Sequence, residues 1–254
     1  MIDDAAGEGD TTKVWSADML VKHTILTDNT TLVGADDAKI VTAKVVGDVD
    51  TNAVLLLHGD TDFSDSGSGP GCPHAYTSKD AGVTIGIAAP LKFGVGYLNF
   101  AVGTQAIYYN QASLKNLGTV WSIDFWAYKA ILDWADYFWQ ATDVNNYIQG
   151  QLFNNGIVWV GGKSGGTYWE RYSTNTFTAA NWAHIYVGTD GVFTYIGING
   201  TVENVGAAIN WANYSGDLRV GTWNTAFNGR MDEFRISDIC RSIGKMSVGM
   251  PAAR

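Results

Sequence analysis

Carboxylates flanked by aromatic side chains are the first residues in this sequence whose types and spacing could do chemistry. The glutamates are Glu8, Glu170, Glu203 and Glu233, and no two lie within ten positions of each other. Hydrolysis of a glycosidic bond needs two carboxyl groups roughly 5–10 Å apart. Glu170 has aromatic neighbours and is the best single candidate, with Asp124 as a partner on another strand. We favour a surface carboxylate for Glu170 and predict no catalytic residues.

The histidines and cysteines do not form a recognised nucleophile or metal site. The chain has no Gly-x-Ser-x-Gly motif, and its two cysteines lack the paired spacing of a zinc site. His184 lies in an apolar run, so we predict a hydrogen-bonded core histidine. For Cys72 and Cys240 we favour two unpaired thiols, and a single disulfide between them is the alternative.

A glycine-rich loop carries acids that could bind a hard cation. Asp60, Asp62 and Asp65 place three oxygen donors within six residues, and carboxylate oxygen is the donor that Ca²⁺ prefers. The loop lacks the glutamate that ends an EF-hand, which excludes that motif. These acids are a candidate calcium site, and the alternative is a solvated Asp/Ser/Gly turn.

Aromatic side chains are abundant and concentrate in two segments. The chain contains 10 Trp, 12 Tyr and 10 Phe, and exposed aromatic faces suit sugar rings. Most of these rings must pack in the core or between subunits, but a few could line a binding surface. The candidates for glycan binding are Trp134, Tyr137 and Trp139 in one segment and Tyr168 and Trp169 in the other.

The charge of the chain excludes one class of partner. The formal net charge is -9, the pI is near 4.7, and no basic run is present to neutralise phosphates. No stretch approaches the ~18–20 apolar residues that cross a bilayer, and the first eight residues do not resemble a signal peptide. We therefore expect no nucleic-acid partner, no membrane partner and no secretion signal.

The first fifty residues differ in composition from the rest of the chain. They contain ten acids and four lysines, whereas the remaining residues carry a net charge of only -3. Two strand-like runs, at residues 19–27 and 38–46, hold too few apolar side chains for an independent core. We predict that residues 1–50 form a docking arm that orders on a partner surface.

From residue 53 onward, short apolar runs alternate with Gly, Asn, Asp and Ser. Ile123 and Phe125 share one face of such a run, and Asp190-Gly191 and Asn199-Gly200 are typical hairpin turns. The pattern predicts an all-β fold, an antiparallel β-sandwich. Strands are predicted at residues 53–58, 82–87, 96–101, 106–109, 120–128, 130–140, 147–153, 156–160, 167–172, 182–188, 193–198, 201–205, 217–221 and 230–236.

A series of short motifs over residues 53–242 occurs in a recognisable order. The motifs are Val54-Leu55-Leu56-Leu57-His58-Gly59-Asp60, Phe63-Ser64-Asp65-Ser66-Gly67, Ser122-Ile123-Asp124-Phe125-Trp126, Asn181-Trp182-Ala183-His184, Tyr195-Ile196-Gly197-Ile198-Asn199-Gly200, Leu218-Arg219-Val220-Gly221 and Asn228-Gly229-Arg230-Met231-Asp232-Glu233-Phe234-Arg235-Ile236-Ser237. This succession resembles the concanavalin A-like, laminin-G-like jelly-roll domains. Ala183 departs from the pattern, because relatives often carry a second histidine there.

The resemblance implies a domain organisation and a metal ligand. It implies a jelly-roll sandwich over residues 51–242, preceded by the arm at 1–50 and followed by a C-terminal tail at 243–254. It also implies a structural calcium that involves the acid of the terminal strand, which is Asp232 here. Asp60, Asp62, Asp65 and Asp232 therefore form the predicted metal set.

Domains of this sequence style, which end in Asp-Glu-Phe-Arg-Ile-Ser, are familiar in tailed-phage structural proteins. The resemblance thus implies a non-enzymatic virion protein, either a capsid decoration or a tail-associated protein. We expect it to dock on other virion proteins through residues 1–50, to form a homo-oligomer and to expose a sandwich that binds glycans. The alternatives are a secreted carbohydrate-binding module or adhesin, and a glucanase-like glycosidase.

Overall fold

The computed structural model describes residues 50–241 except 102, 104 and 222–224. The predicted docking arm, apart from Asp50, lies outside the described residues, and so do its two predicted strands. Within the described part of the chain, no helix is long and apolar enough to cross a membrane.

A short 3₁₀ helix spans Ala112–Leu114. The strands are β1 (Ala53–Leu57), β2 (Ser78–Lys79), β3 (Val83–Gly86), β4 (Tyr97–Phe100), β5 (Ala106–Tyr109), β6 (Val120–Tyr128), β7 (Ala135–Asp143), β8 (Asn146–Leu152), β9 (Ile157–Ser164), β10 (Thr167–Thr176), β11 (Trp182–Asp190), β12 (Phe193–Ile198), β13 (Thr201–Ala207), β14 (Leu218–Gly221) and β15 (Gly229–Ser237).

One antiparallel sheet has eight strands and is organised around the terminal strand β15. Its order is β13-β12-β11-β6-β15-β4-β3, with β1 also paired to β15. The first half of β15 pairs with β4 and the second half with β1. Its opposite edge pairs with β6, where the register shifts between Asp232 and Arg235. Glu233 sits in this bulge with a left-handed φ of 52°.

The second antiparallel sheet has seven strands in the order β10-β9-β8-β7-β14-β5-β2. Its edge strand β10 lies beside β13 of the other sheet. Arg171 donates from Nε and Nη2 to the carbonyl oxygen of Ala207 at 3.2 and 3.0 Å. The backbone N–H of Thr174 donates to Glu203 Oε1 at 2.8 Å. These bonds close one side of the sandwich.

Aromatic rings fill the space between the two sheets. The ring of Phe125 on β6 lies 5.0 Å from that of Tyr137 on β7 and 5.5 Å from that of Phe234 on β15, centroid to centroid. Trp211 is also buried, and its indole N–H donates to Gln140 Oε1 at 2.7 Å, so its polar atom is satisfied. Full burial of one such ring stabilises the fold by roughly 2–3 kcal/mol.

The predicted all-β fold and antiparallel sandwich are confirmed, and the differences lie at strand boundaries. The sequence pattern misses β2, whose two residues pair with β5. The strand predicted at residues 130–140 begins instead at Ala135. In the preceding loop the Lys129 side chain is buried. Its ammonium pairs with Asp133 at 2.5 Å and donates to the carbonyl of Phe227.

A buried ion pair lies on the outer face of the eight-stranded sheet. Arg235 donates from Nε and Nη2 to the two carboxylate oxygens of Asp124 at 3.0 and 2.8 Å. Asp50 accepts from both Arg235 and Arg241. His184 is buried, but it lies on this outer face rather than in the predicted core, with Nε2 3.7 Å from Asp124 Oδ1 and no hydrogen-bond partner for that nitrogen among the described residues. Burial alone would raise the pKa of Asp124, but His184 and Arg235 together lower it.

We predict that Arg235→Met destabilises the protein by about 3–5 kcal/mol, because it leaves the Asp124 carboxylate buried without its partner. Urea unfolding at pH 7 measures this change. The double variant Asp124→Asn, Arg235→Met should recover part of the loss, since neither charge is then stranded. A loss below about 1 kcal/mol for the single variant would contradict a role for this pair.

Candidate functional site

The outer face of the seven-stranded sheet carries aromatic and polar side chains. Successive side chains of a strand point to opposite faces, and Ile107, Phe138, Val160 and Val220 are buried in the core. Their neighbours along each strand therefore point outward, and the strand register aligns them across the sheet. We call this surface the aromatic face. Its central row is Tyr108, Arg219, Trp139, Gln149, Gly161 and Glu170, and adjacent rows add Tyr147, Gln151, Trp159, Lys163, Tyr168 and Tyr172.

Two phenols hold the Glu170 carboxylate at one side of the aromatic face. On β10, Tyr168 and Tyr172 flank Glu170 at alternate positions, so all three side chains share one face. Both hydroxyls donate to the same oxygen, Oε2, at 2.8 and 2.6 Å. The hydrogen bonds from Tyr172 and Tyr168 lower the pKa of Glu170. The carboxylate is thus ionised and oriented before any ligand arrives.

The indole of Trp159 lies beneath this carboxylate. Gly161 makes room for it, because a Cβ at position 161 would come within 2.0 Å of Trp159 Cζ2. Trp159 is only 3% exposed, and its Nε1 has no hydrogen-bond partner in the structure. Nevertheless this N–H lies close enough to Glu170 to contribute to the lowering of its pKa. A buried N–H that lies near an oriented carboxylate without a full hydrogen bond to it favours a bridging hydroxyl group.

Further rings extend the aromatic face beyond Trp159. The ring of Phe153 lies 6.2 Å from that of Trp159 and 5.8 Å from that of Tyr172. Trp134 packs on Phe153 at 4.1 Å and remains 46% exposed. An accessible indole therefore stands at the edge of the aromatic face.

Arg219 lies between two rings at the other side of the aromatic face. Its guanidinium carbon is 4.7 Å from the centroid of Trp139 and 5.3 Å from that of Tyr108. Planar guanidinium stacks on aromatic faces and can still donate in its own plane. The central row therefore has a cation on β14 and an anion on β10.

The structure brings three of the five predicted glycan residues to this surface. Trp139 and Tyr168 lie on the aromatic face, and Trp134 lies at its edge. Tyr137 was a wrong prediction, because it is fully buried and its hydroxyl donates to the Trp159 carbonyl at 3.2 Å. Trp169 was also wrong, because it packs against the core and covers Gly162.

Sequence reasoning named Glu170 as a lone carboxylate but did not group it with Trp159 and Tyr172 as one surface, although the sequence carries a readable signal. Tyr168-x-Glu170-x-Tyr172 alternates, which places all three side chains on one face of a strand. Trp159-x-Gly161 has the same spacing and marks a ring that lies over a glycine. Trp159, Glu170 and Tyr172 could therefore have been grouped with Trp139 and Tyr168 as one surface.

The proposed pairing of Asp124 with Glu170 for glycoside hydrolysis is wrong. Asp124 belongs to the eight-stranded sheet, where it is buried and bonded to Arg235. Glu170 belongs to the outer face of the seven-stranded sheet. The two carboxyl groups therefore cannot act on the same bond.

The four acids predicted to bind a metal do not form one cluster. Among residues 50–241 that the structure describes, the only group of three or more ligand-bearing side chains within 4.8 Å is Asp65, Cys72 and His74. Asp65 accepts from the backbone N–H groups of Leu56, Gly67 and His74 and from the His74 ring. Its oxygens are therefore occupied by the protein.

Cys72 is a protonated thiol in this cluster. Burial and the nearby Asp65 charge raise the pKa of the Cys72 thiol to about 12. His74 Nε2 pairs with Ser113 Oγ at 2.6 Å, which ties this loop to the 3₁₀ helix. Both Cys72 and Cys240 are free thiols, as favoured from sequence.

Asp60 and Asp232 are the two predicted acids whose environment fits a cation. Asp60 Oδ1 accepts from the backbone of Val95 at 2.8 Å, and Asp232 Oδ2 accepts from that of Phe93 at 3.0 Å. Asp232 Oδ1 is buried without a hydrogen-bond partner. Burial, helped by the charges of Glu233 and Asp60, raises the pKa of Asp232 to about 7. Asp62 instead accepts from the backbone of Ser64 within an exposed turn.

Comparison with known proteins identifies the fold. No protein-family model and no curated protein matches this chain. Domain 4 of AbnA, an extracellular GH43 arabinanase from Geobacillus stearothermophilus solved with arabinotriose, matches with a TM-score of 0.59 and 18% identity, over 78% of this chain and 98% of that domain. The chain has a concanavalin A-like fold. The predicted jelly-roll class is therefore confirmed.

Botulinum neurotoxin binding domains share the same fold. The binding domain of botulinum neurotoxin DC in complex with SialylT matches with a TM-score of 0.60 and 13% identity, over 79% of this chain and 51% of that one. The serotype C1 binding domain matches with a TM-score of 0.60 and 12% identity. The chain spans about half the length of these toxin domains. These structures do not bear on the phage setting, which stays a prediction.

We predict that the double variant Tyr168→Phe, Tyr172→Phe raises the pKa of Glu170, because both donors to its carboxylate are lost. Carboxyl ¹³C NMR titration measures the pKa. Tyr147→Phe, on β8 two strands away, is the control and should leave it unchanged. An unaltered Glu170 pKa in the double variant would show that the two phenols do not hold the carboxylate.

Proposed function

We propose that the protein is a non-catalytic carbohydrate-binding module that uses the aromatic face. The observation that carries this proposal is the arrangement around Glu170, where an oriented carboxylate lies beside the unpartnered indole N–H of Trp159. Polar groups that are fixed in advance lower the cost of binding. Both groups suit the hydroxyls of a sugar ring.

The dimensions of the aromatic face suit an oligosaccharide. Four strand intervals separate β14 from β10, which corresponds to about 19 Å. Rings such as Trp139 can stack on the apolar face of a pyranose or furanose. Arg219, Gln149 and Glu170 supply donors and acceptors along the same row. We therefore propose that a linear chain of several sugars crosses the strands.

Two solved structures support a sugar as ligand. The arabinanase domain was solved with arabinotriose and a neurotoxin binding domain with SialylT. Both are domains with the fold of this chain. We propose the same class of ligand, a sugar, for this chain. Experiment must identify which sugar it is.

Two observations on Glu170 favour binding over hydrolysis. A general acid must be protonated near the working pH, whereas the two phenols keep this carboxylate ionised. The predicted partner Asp124 belongs to the other sheet. We therefore propose that Glu170 recognises a sugar hydroxyl and does not cleave a bond.

Glycan-array screening followed by calorimetry tests the proposal. For a bound oligosaccharide, we predict that Trp139→Ala lowers the affinity by about tenfold or more, because stacking area is lost. Glu170→Gln should lower it about five- to thirtyfold, since charged acceptors form the stronger hydrogen bonds.

Phe193→Ala is the matched control, because Phe193 is an exposed ring on the eight-stranded sheet. It should bind as wild type does. Equal affinity in all variants would place the sugar elsewhere on the molecule. Release of reducing sugar by wild type but not by Glu170→Gln would favour the glucanase alternative.

The protein has two candidate locations, the outside of a cell and a virion. The arabinanase that contains the matching domain is extracellular, which favours the secreted carbohydrate-binding module or adhesin over the virion protein implied by the motif resemblance. Attachment to a virion through residues 1–50 and homo-oligomerisation stay predictions. Gradient sedimentation of the native lysate separates the two settings, because a virion protein comigrates with large particles.

We also propose that Asp60 and Asp232 bind a structural Ca²⁺. Both carboxylates hold the segment 92–96, and a divalent cation would offset the repulsion between them. Ca²⁺ at ~100 times its Kd should stabilise the fold by about 2.7 kcal/mol, or roughly 5–10 °C in Tm. Thermal unfolding with and without chelator measures this.

Asp232→Asn should abolish the calcium response, and Asp62→Asn should keep it as the matched control. If Ca²⁺ leaves the wild-type Tm unchanged, or if Asp62→Asn removes the response as completely as Asp232→Asn, the assignment is wrong.

A further inference from the structure

An uninterrupted run of apolar residues is exposed between β3 and β4. Ile87, Ala88, Ala89, Pro90 and Leu91 are all exposed, and Ile87 is 75% accessible. We call these residues the apolar loop. Five consecutive exposed apolar residues are costly in water and indicate a contact that removes them from it.

The protein holds the apolar loop in place from beneath. Arg230 Nη1 donates to the carbonyls of Ala88 and Pro90 at 3.0 and 2.9 Å. The indole N–H of Trp182 also donates to Pro90 O, at 3.3 Å. Lys92, which follows the loop, places its ammonium 3.5 Å from the ring centroid of Trp126. These polar groups bind inward while the aliphatic side chains point outward.

A second exposed apolar segment follows Tyr128, close to the residues that hold the apolar loop. Tyr128 ends β6 and pairs with both Trp182 and Arg230, the two residues that hold the apolar loop. The chain after Tyr128 leads to Ile131, which is 74% exposed, and then to Trp134. We call the part of the sandwich where β6 terminates the Tyr128 end.

Charge is sparse in the loops of the Tyr128 end. In the loop after Tyr128, the charges of Asp133 and the buried Lys129 neutralise each other. The register of the strands places further connections here, and the one between β2 and β3 carries Asp80, which accepts from the backbone N–H of Ala106 at 2.9 Å. Residues 153–156, 177–181, 199–200 and 226–228 contain no charged side chain. In a chain of net charge -9, this end is suited to an apolar partner.

We propose that the Tyr128 end binds the surface of a lipid bilayer, with the apolar loop and Ile131 entering the boundary between headgroups and acyl chains. Lipid supplies no hydrogen bonds to backbone carbonyls, and Arg230 and Trp182 already bind those of the loop. A protein partner typically forms a hydrogen bond per 100–200 Å² and engages Tyr, Trp and Arg anchors, whereas this loop offers aliphatic groups.

The lipid should be zwitterionic. A chain of net charge -9 is repelled by anionic headgroups, and the contact relies on apolar burial. The proposal revises the expectation of no membrane partner, which rested on the lack of a spanning segment. It is independent of sugar binding, which uses Trp139 and Glu170.

Cosedimentation with sucrose-loaded phosphatidylcholine vesicles tests the proposal on the full chain. We expect wild type to bind and the double variant Ile87→Ser, Leu91→Ser to lose at least about tenfold in partition coefficient. Val144→Ser is the matched control, because Val144 is 78% exposed in the turn between β7 and β8 and should bind unchanged. Vesicles with added phosphatidylserine should bind wild type more weakly.

Three results would overturn the proposal. The first is that wild type does not sediment with phosphatidylcholine vesicles, and the second is that the double variant binds as wild type does. Alternatively, light scattering shows a wild-type dimer that the double variant abolishes without vesicle binding, which would assign the apolar loop to a second copy. Circular dichroism and oligosaccharide binding of the double variant distinguish loss of membrane contact from loss of fold.

Discussion

Side-chain alternation in the seven-stranded sheet is the constraint on which the candidate site depends. The inner residues, such as Phe138 and Val160, must be buried against the eight-stranded sheet. Their neighbours Trp139 and Trp159 are then directed outward, and the backbone register brings residues from β14 to β10 into one row. A shift of one residue in any of these strands would bury the polar residues and expose the core. The energy that folds the sandwich therefore also positions the aromatic face.

The two sheets use their outer faces differently. The outer face of the eight-stranded sheet carries charges that are already paired, as in Arg235 with Asp124. The segment 92–96 also binds Asp60 and Asp232 on that side. On the seven-stranded sheet, Glu170 is held by neutral phenols, and the Trp159 indole N–H has no hydrogen-bond partner. The capacity to bind an uncharged polar ligand such as a sugar is thus concentrated on the aromatic face.

Sequence reasoning was reliable where one local signal decided the outcome. Alternation in β6 and the Asn199-Gly200 turn predicted strands and a hairpin that the structure contains. It was wrong for Tyr137, because a register shift between Asp136 and Phe138 turns two successive rings into the core. The proximity of Asp60 to Asp232 involves chain segments far apart in sequence, so only the family resemblance suggested it.

The central claim is that the aromatic face binds sugar, and a crystal structure of the full chain with an oligosaccharide selected by array tests it most directly. The account predicts a sugar ring stacked on Trp139 and a ring hydroxyl bonded to Glu170. A ligand bound at the loops or on the eight-stranded sheet, with Trp139 and Glu170 untouched, would contradict it.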